Sequence, residues 1–221
     1  MPDTSWIAGG HVESTGPTKY DLALAWIAKN RETFIGSLVI LVAIIIFAVY
    51  FFIHYRGLRD TAWKNLFMAQ QVGFGGNMDQ AQQQLAGIEA SYGSTSAAPY
   101  ATLTKGDFFF AQGKFKEAGA EYAKVLTAKD LAPFAYYNLG KSKEAEGDLV
   151  GAQAQYSEFL SRYPEHFIAP EVHASLARAQ ELSGAKDQAR NTYEKISLLY
   201  PDTVWAMQAK ARLAPPAPAK K

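Results

Sequence analysis

Residues 35–53 read IGSLVILVAIIIFAVYFFI, a run of 19 residues without a charged side chain. As an α-helix this run is about 28 Å long, close to the hydrocarbon thickness of a bilayer. A helix on the surface of a soluble core carries a polar face, and the run has none at any helical period. It therefore predicts a single membrane-spanning helix. The side chains expected to contact lipid are Ile35, Leu38, Val39, Leu41, Val42, Ile45, Ile46, Val49, Phe52 and Ile53.

A cleaved signal peptide is the other explanation of such a run. Signal peptides have an apolar region of about 7–15 residues that ends at a small-residue cleavage site. Here the run is longer, begins after 34 residues and ends in YFFIHY, which contains no such site. The aromatic residues Trp26, Tyr50 and Tyr55 suit the two interfaces of a membrane. We therefore predict a retained transmembrane helix over residues 35–55.

The residues before the run divide into two parts. Residues 1–17 contain three glycines and two prolines with few apolar side chains, and are predicted to be a disordered arm. Thr18 can cap a helix whose apolar side chains share one face. Two structures fit residues 18–32: an amphipathic juxtamembrane helix lying on the membrane, or a helix that continues into the anchor.

An internal repeat follows the anchor. The pattern Gly-x4-Ala-x3-Tyr or Leu occurs four times, with its alanines at Ala81, Ala118, Ala152 and Ala189. The alanine spacings are 118−81 = 37, 152−118 = 34 and 189−152 = 37 residues. A period of 34 residues is typical of tetratricopeptide helix-turn-helix units. Small residues let the two helices of a unit approach closely, and stacking buries the apolar face that a single unit leaves exposed.

These patterns together predict an all-α fold, with a single N-terminal transmembrane helix followed by a tetratricopeptide-repeat α-solenoid of about four helix pairs plus a capping helix. The first helices of the pairs are predicted near 58–74, 99–112, 133–146 and 169–183. The second helices are predicted near 79–92, 115–128, 149–163 and 186–200, and the cap near 203–213. The repeat domain thus covers 58–213, and residues 214–221 form a Pro/Ala/Lys tail. Since only Gly57 separates the anchor from the first repeat helix, we expect a stiff or slightly bent connection.

Composition excludes several classes of function. The formal net charge is +1, so no strongly basic face for nucleic acid is implied. There is no cysteine, which excludes disulfides, thiolate nucleophiles and cysteine-ligated metals. Among the four histidines, His166 and His173 lie near acidic residues but lack the spacing of a metal site. We predict no enzyme activity, no cofactor and no metal.

Two segments resemble the 37-residue tetratricopeptide units of bacterial envelope proteins. They are FLSRYP at 159–164, followed by IAP at 168–170, and LYPD at 199–202. Such units occur in outer-membrane assembly lipoproteins and in the periplasmic Tol-Pal coordination protein. The layout from about Asp21 to Leu213 more closely resembles the family of the ancillary subunit of the SecYEG translocon. That family has a short cytoplasmic amphipathic arm, one anchor and a periplasmic tetratricopeptide domain.

The resemblance implies a single-pass protein of the bacterial inner (cytoplasmic) membrane, with a cytoplasmic N-terminus and a periplasmic repeat domain. Charge alone leaves the orientation open, because three basic residues precede the span and three follow it closely. The expected function is a non-enzymatic protein–protein interaction module that assists exported proteins or periplasmic chaperones near the Sec translocon. The alternative is a structural scaffold of another envelope complex, in outer-membrane assembly, the cell wall or motility. Expected partners are the lipid bilayer and proteins, namely the translocon, secretory chains or other envelope subunits, and a homo-oligomer is compatible with either function.

In such solenoids the first helix of each pair lines a concave groove that accepts a partner segment. By resemblance, the second, fifth, ninth and twelfth places of each first helix face inward. Trp63, Gly73, Glu171 and Ala174 stand at such places, in addition to the binding residues listed below. An apolar groove favours an apolar peptide or helix as partner, although a single aromatic can instead merely pack between pairs. The residues that we predict to bind the partner are Leu66, Gln70, Tyr100, Leu103, Asp107, Phe110, Phe134, Tyr137, Lys141, Glu144, Arg178 and Glu181.

One type of tetratricopeptide groove is not supported. Clamps for a C-terminal carboxylate have lysine and asparagine at set places, which here hold Leu66 and Gln70 or Leu103 and Asp107. Asn138 is the one evident match. The groove is therefore not predicted to bind an acidic tail of that kind.

Overall fold

The computed structural model describes residues 16–214. This part of the chain contains ten α-helices and no strand, which confirms the predicted all-α fold. Most of the arm and of the tail, residues 1–15 and 215–221, lies outside the described residues, and the prediction of disorder there stays a prediction. The chain separates into two compact units, Met1–Tyr55 and Arg56–Lys221.

The first unit begins with a short capped helix, α1 (Lys19–Lys29). The Thr18 hydroxyl accepts a hydrogen bond from the backbone N–H of Asp21 (3.3 Å), and the Asp21 carboxylate accepts one from the backbone N–H of Thr18 (2.9 Å). This reciprocal capping box satisfies two backbone donors that a helix start leaves free. Hydrogen bonding by Thr18 also lowers the pKa of Asp21. Asn30 alone separates α1 from the next helix.

The second helix, α2 (Arg31–Phe74), is 44 residues long and contains the apolar run. Its most apolar window has a mean hydropathy of 2.9, and none of that window is buried. Ile46, for example, is 65% exposed. A core helix of a water-soluble protein would cover such side chains, whereas lipid solvates them. By length and composition α2 is therefore a candidate membrane-spanning helix. The helix is not interrupted at Gly57.

The second unit is a stack of helix pairs. The C-terminal part of α2 pairs with α3 (Met78–Tyr92), and three further pairs and one single helix follow. These are α4 (Ala97–Ala111) with α5 (Phe115–Lys124), α6 (Ala132–Ala145) with α7 (Leu149–Arg162), α8 (Ala169–Leu182) with α9 (Lys186–Leu199), and α10 (Val204–Leu213). The last helix packs on α9 and α8. The predicted solenoid of four pairs and a cap is confirmed.

One helix is shorter than predicted. The spacing predicts a helix over 115–128, and α5 ends at Lys124. There the backbone N–H of Val125 bonds to the carbonyl of Tyr122 (3.1 Å), and that of Ala128 to the carbonyl of Val125 (3.0 Å). These three-residue bonds tighten the chain into turns, and the buried Val125 side chain joins the core.

The glycines of the repeated pattern form the turns within the pairs. Each has a positive φ, a backbone conformation that costs a residue with a Cβ atom about 1 kcal/mol or more. The four values are 99° at Gly76, 73° at Gly113, 85° at Gly147 and 84° at Gly184. The first glycine of the pattern recurs because a residue in the left-handed conformation must follow each first helix before the chain reverses.

A second glycine position lets the two helices of a pair touch. A Cβ atom on Gly106 would lie 2.6 Å from the ring of Tyr122, and one on Gly140 would lie 2.4 Å from the ring of Tyr156. Both distances are shorter than van der Waals contact. Each tyrosine ring therefore lies directly on the backbone of the facing helix. In the last pair the buried Ala177 shares a core cluster with Tyr193.

The core runs along the stack rather than around one centre. Each apolar cluster joins consecutive helices: Leu66, Leu85 and Phe108 link α2, α3 and α4, and Ile196 and Ala209 link α9 and α10. Clusters of this kind bury a face that no single pair can cover, as expected for a repeat protein.

Gly140→Ala is expected to lower the free energy of unfolding by about 1–3 kcal/mol, because the added methyl group overlaps the Tyr156 ring. Gly87→Ala is the matched control, since a Cβ there meets no described atom within 4 Å. It should raise the free energy of unfolding by about 0.5–1 kcal/mol, because Gly87 lies inside a helix. Denaturant melts of the full chain in detergent, followed by circular dichroism, measure both. Equal effects at the two positions would contradict the close contact.

Candidate functional site

The first helices of successive pairs lie side by side, and side chains about one repeat apart in the sequence bond to each other. The Gln70 side-chain amide donates to the Thr104 hydroxyl (3.2 Å), and these residues are 34 positions apart. The Tyr137 hydroxyl donates to the Glu171 carboxylate (2.6 Å), again 34 positions away. Equivalent residues of α2, α4, α6 and α8 therefore line one surface. We call the part of this surface formed by the predicted binding residues the groove.

Eleven of the twelve predicted groove residues are at least partly exposed. The exception is Leu66, which is 3% exposed and packs in the core with Ala69 and Leu85. Leu66 belongs to the buried face of α2 together with Ala62, Ala69 and Gly73, and it is left out of the surface considered below. The structure thus brings together Gln70, Tyr100, Leu103, Asp107, Phe110, Phe134, Tyr137, Lys141, Glu144, Arg178 and Glu181.

Aromatic rings at the start of the first helices contact their neighbours. Trp63 packs on Tyr100 with ring centres 5.0 Å apart, and its indole N–H donates to the hydroxyl of Ser96 (3.3 Å). Phe134 lies 6.1 Å from Phe167, which is 76% exposed and was not predicted from the sequence. These rings therefore do pack between pairs, and the partly exposed rings of Tyr100 and Phe134 still offer surface to a partner.

In the middle of the groove a lysine side chain lies over two aromatic rings. The ammonium of Lys141 lies 5.3 Å from the ring centre of Phe110 and 5.5 Å from that of Tyr137. At such distances a cation is attracted by the faces of both rings. A small pocket of about 140 Å³ opens here beside Phe110, Lys141 and Asn138.

The repeat tyrosines reach from the second helices to the acidic residues of the groove. In each case the phenol O–H donates to a carboxylate on the first helix of the same pair. The three bonds are Tyr122 to Asp107 (2.7 Å), Tyr156 to Glu144 (2.9 Å) and Tyr193 to Glu181 (2.9 Å). The tyrosine of the sequence repeat therefore serves both the core and the groove.

The same carboxylates bond forward to the next first helix. Asn138 donates to Asp107 (3.3 Å), and Arg178 donates to Glu144 through two bonds of 2.8 and 3.1 Å. Arg212, on the last helix, lies 3.4 Å from Glu181. Arg212 was not among the predicted groove residues, because the sequence indicated only a capping helix over 203–213. A signal was present, since Arg212 follows Glu181 by the same 31 residues that separate Asn138 from Asp107.

Burial sets the protonation of these hydroxyl groups. Burial, together with Glu144, raises the pKa of Tyr156, and burial with Asp107 does the same at Tyr122. At Tyr193, burial and the bond to Glu181 raise the pKa to about 12. All three phenols therefore stay protonated and act as fixed donors at physiological pH. Such groups suit a binding surface better than proton transfer.

A second pocket closes the C-terminal end of the groove. It has a volume of about 180 Å³ and lies between α6, α8, α9 and α10. Tyr137 and Arg178 were predicted to line the groove here, and Glu171 stands at one of the inward places. Trp205 and Arg212 also line the pocket and were not predicted, because the repeat pattern places groove residues only on the first helices of the four pairs.

The two histidines considered as metal ligands lie in different surroundings. The His166 ring contacts Phe134, Phe159 and Phe167. His173 packs against Tyr200, and its buried Nδ1 has no hydrogen-bond partner among the described residues. Within residues 16–214 no group of three or more His, Asp or Glu side chains could hold a metal ion.

Acidification is expected to destabilise the repeat unit through His173. Burial, with a smaller effect of Lys195, lowers its pKa in the fold, so the unfolded chain binds the proton more readily. The stability from neutral His173 is therefore present above its ordinary pKa of about 6.5 and is lost as the pH falls below it. His173→Phe keeps an aromatic ring at this position and removes the titration. Unfolding midpoints in denaturant should fall less between pH 7.5 and pH 5 in the variant. Parallel curves for both proteins in that interval would contradict the assignment.

The sequence and the structure are both similar to tetratricopeptide-repeat proteins. Residues 143–212 match the tetratricopeptide repeat family model, which corresponds to the part of the stack from the end of α6 to α10. No protein with curated annotation matches the sequence at a significant level.

Solved structures share the fold at low sequence identity. A tetratricopeptide repeat protein from Parabacteroides merdae has 18% identity and a TM-score of 0.60, and the match covers 70% of this chain and 59% of that one. The kinesin light chain repeats of Podosopora anserina have 16% identity and a TM-score of 0.57, covering 70% and 84%. MamA has 16% identity and a TM-score of 0.55, covering 66% and 81%. These similarities define the fold as a tetratricopeptide solenoid, a class whose concave surfaces bind other proteins.

Proposed function

We propose that this protein is a membrane-anchored, non-enzymatic module that binds a segment of another protein in its groove. The polar groups of the groove carry the argument, because most of them already bond to each other. Glu144 is held by Arg178 and Tyr156, and Asp107 by Tyr122 and Asn138. A partner therefore gains little by replacing these bonds.

The groove also offers apolar surface beside its paired charges, of which Asp107 and Arg178 are the most exposed. Leu103, Phe110 and Tyr137 lie on neighbouring first helices and are partly exposed. Burying such side chains yields about 25 cal/mol per Å² of apolar area. An extended or helical segment with several aliphatic or aromatic side chains fits this surface best.

The apolar run of α2 supports membrane anchoring over residues 35–55. A helix with mean hydropathy 2.9 and no buried residue in its central window would expose a large apolar area to water. Inserted in lipid, it keeps every backbone hydrogen bond and exposes apolar side chains to hydrocarbon. We combine this apolar run with the resemblance described above and propose that the protein lies in the bacterial inner membrane. Its N-terminus is then in the cytoplasm and its repeats are in the periplasm.

The cellular role that fits these features is assistance to exported chains or periplasmic chaperones near the Sec translocon, and it rests on the same resemblance. A structural scaffold of another envelope complex is the second candidate. One observation favours it: Phe67 and Phe74 on α2 are 61% and 77% exposed and lie outside the predicted binding set. A permanent subunit could cover them. The two roles thus predict different contact surfaces.

Photo-crosslinking in living cells distinguishes these surfaces. A photoreactive amino acid at Phe110 should crosslink newly exported chains or periplasmic chaperones, because Phe110 lies in the open part of the groove. The same residue at Lys116, exposed on the second helix α5, is the control and should not. One stoichiometric partner captured from Phe67, with nothing captured from Phe110, would instead support the scaffold and overturn groove binding.

Membrane anchoring can be tested by introducing charged side chains into the apolar run of α2. Val42→Arg combined with Ile45→Arg is expected to disfavour insertion by roughly 5–7 kcal/mol, from about 2.5–3.5 kcal/mol for each arginine at the helix centre. The double variant should appear in the soluble fraction or be degraded, whereas Ala154→Arg, at an exposed position of α7, should stay in the membrane. Fractionation after carbonate extraction measures this. A wild-type protein that carbonate releases would disprove anchoring.

A further inference from the structure

We propose that the open side of the first helix pair binds a second copy of this chain. We use this name for the surface formed by Phe67 and Met68 of α2 together with Gln84 and Gly87 of α3. No described helix covers it, and Phe67 is 61% and Met68 52% exposed. The inference goes beyond the proposed function, because this surface is separate from the groove.

The later pairs bury the places that the first pair exposes. Lys64 and Gln71, on either side of Phe67 and Met68 in α2, are both exposed. Their equivalents one, two and three repeats later are at most 3% exposed, namely Ala101, Ala135 and Val172 for Lys64, and Phe108, Ser142 and Ala179 for Gln71. Two of the three equivalents of Met68, Leu139 and Leu176, are buried as well. The open side is therefore a contact surface of the repeat that lacks its neighbour.

Inside the stack, a second helix covers this kind of surface. Leu139, the equivalent of Met68 in α6, shares a core cluster with Ala118 and Tyr122 of α5. A Cβ atom on Gly119 of α5 would lie only 3.3 Å from Leu139. A first helix thus packs its apolar side chain on a small residue of a second helix. A second copy can supply the same contact if its α3 covers α2.

The end of a repeat stack that faces water carries polar side chains. At the place of Phe67 the later pairs have Thr104, Asn138 and Ser175, which are all smaller and polar. The first pair therefore has its largest apolar side chain where a solvated end would need a polar one, and this favours a protein partner over water.

A pocket of about 390 Å³ lies on the same open side, and none of its lining residues is charged. Gly87 lines it, and a Cβ atom there would meet no described atom within 4 Å. Glycine inside a helix is destabilising, and nothing within the described chain requires it at this position. The missing side chain leaves room for an apolar group from outside, such as a phenylalanine ring.

The exposed ring and the pocket are placed so that two copies fit each other. Asn65 and Met68, which flank Phe67 in α2, line the pocket, so Phe67 and the pocket lie at the same level of the pair. A twofold axis parallel to the helices keeps every residue at its level. It places Phe67 of each copy opposite the pocket of the other, with α2 against an antiparallel α3. An isologous dimer needs such a self-complementary surface, whereas an unrelated partner does not.

Introduced cysteines test the arrangement directly, because the chain contains none of its own. Two full-length copies with different tags are co-expressed in membranes, one with Phe67→Cys and the other with Gly87→Cys. Mild oxidation should link the two tags. The second contact of the dimer stays intact in this pair, since the Gly87→Cys copy keeps Phe67 and the Phe67→Cys copy keeps Gly87. Phe67→Cys combined with Lys116→Cys, at an exposed position of α5, is the control and should not link.

Gly87→Leu tests the pocket without disturbing the fold. The leucine fills the space that Phe67 of the other copy enters, so copurification of two differently tagged copies that both have this change should fall at least about 5-fold. The free energy of unfolding should not fall, because a Cβ atom at Gly87 meets no described atom within 4 Å. Ala86→Leu, at an exposed position of α3 outside the pocket, is the matched control and should leave copurification unchanged.

Several outcomes would overturn the dimer. No link between Phe67→Cys and Gly87→Cys would do so, as would copurification that survives Gly87→Leu. A link between two copies that both have Phe67→Cys, without the link to Gly87→Cys, would show that α2 packs on α2 instead. Capture of a different protein from Phe67 would show that another subunit covers the open side. Groove binding is judged separately from Phe110, so it can stand when the dimer fails.

Discussion

The structure of the repeat unit depends on one contact, the tyrosine ring of a second helix lying on a backbone without a side chain. At Gly106 and Gly140 the first helix leaves no room for a Cβ atom, and the rings of Tyr122 and Tyr156 fill that space. The contact sets the distance between the helices of a pair. The ring crosses the glycine position, and its hydroxyl reaches a carboxylate of the same first helix, Asp107 or Glu144, in the groove.

Core packing and groove chemistry are therefore linked through the same side chains. Tyr156 is fully buried, yet its hydroxyl holds Glu144, which in turn holds Arg178 of the next pair. A chain of bonds of this kind polarises its members and fixes their positions. The groove thus has a polar row whose carboxylates are already paired with donors of the same chain.

The helix positions could be predicted closely, because they depend on local requirements that leave a mark in the sequence. Each left-handed turn needs glycine, and each close helix contact needs a small residue, so Gly113, Gly147 and Gly184 locate the turns directly. The side-chain bonds could not be predicted in the same way. Tyr122 bonds to an acid 15 residues earlier, whereas Tyr156 bonds to one 12 residues earlier, and no fixed spacing describes both.

The predicted groove residues stay a prediction, and the structure differs from the repeat rule at the two ends of the stack. Leu66 was assigned to the surface by its place in the repeat, but α2 turns a face with Ala62 and Ala69 inward, and Leu66 lies on it. At the other end, Trp205 and Arg212 complete a pocket on a helix that has no partner helix of its own. Terminal units differ from inner ones because each lacks a neighbour, and a rule taken from the repeat describes the inner units best.

The uninterrupted helix α2 also limits where the chain can be cut between the apolar run and the first pair. Ala62, Leu66, Ala69 and Gly73 of this helix form the buried face of the first pair, only a few turns beyond the apolar run. A protease that releases an intact solenoid must therefore cut in the short interval between the two, and a cut further along removes part of the core. A cut that separates the repeat unit from the apolar run therefore has only about two helical turns in which to spare the first pair.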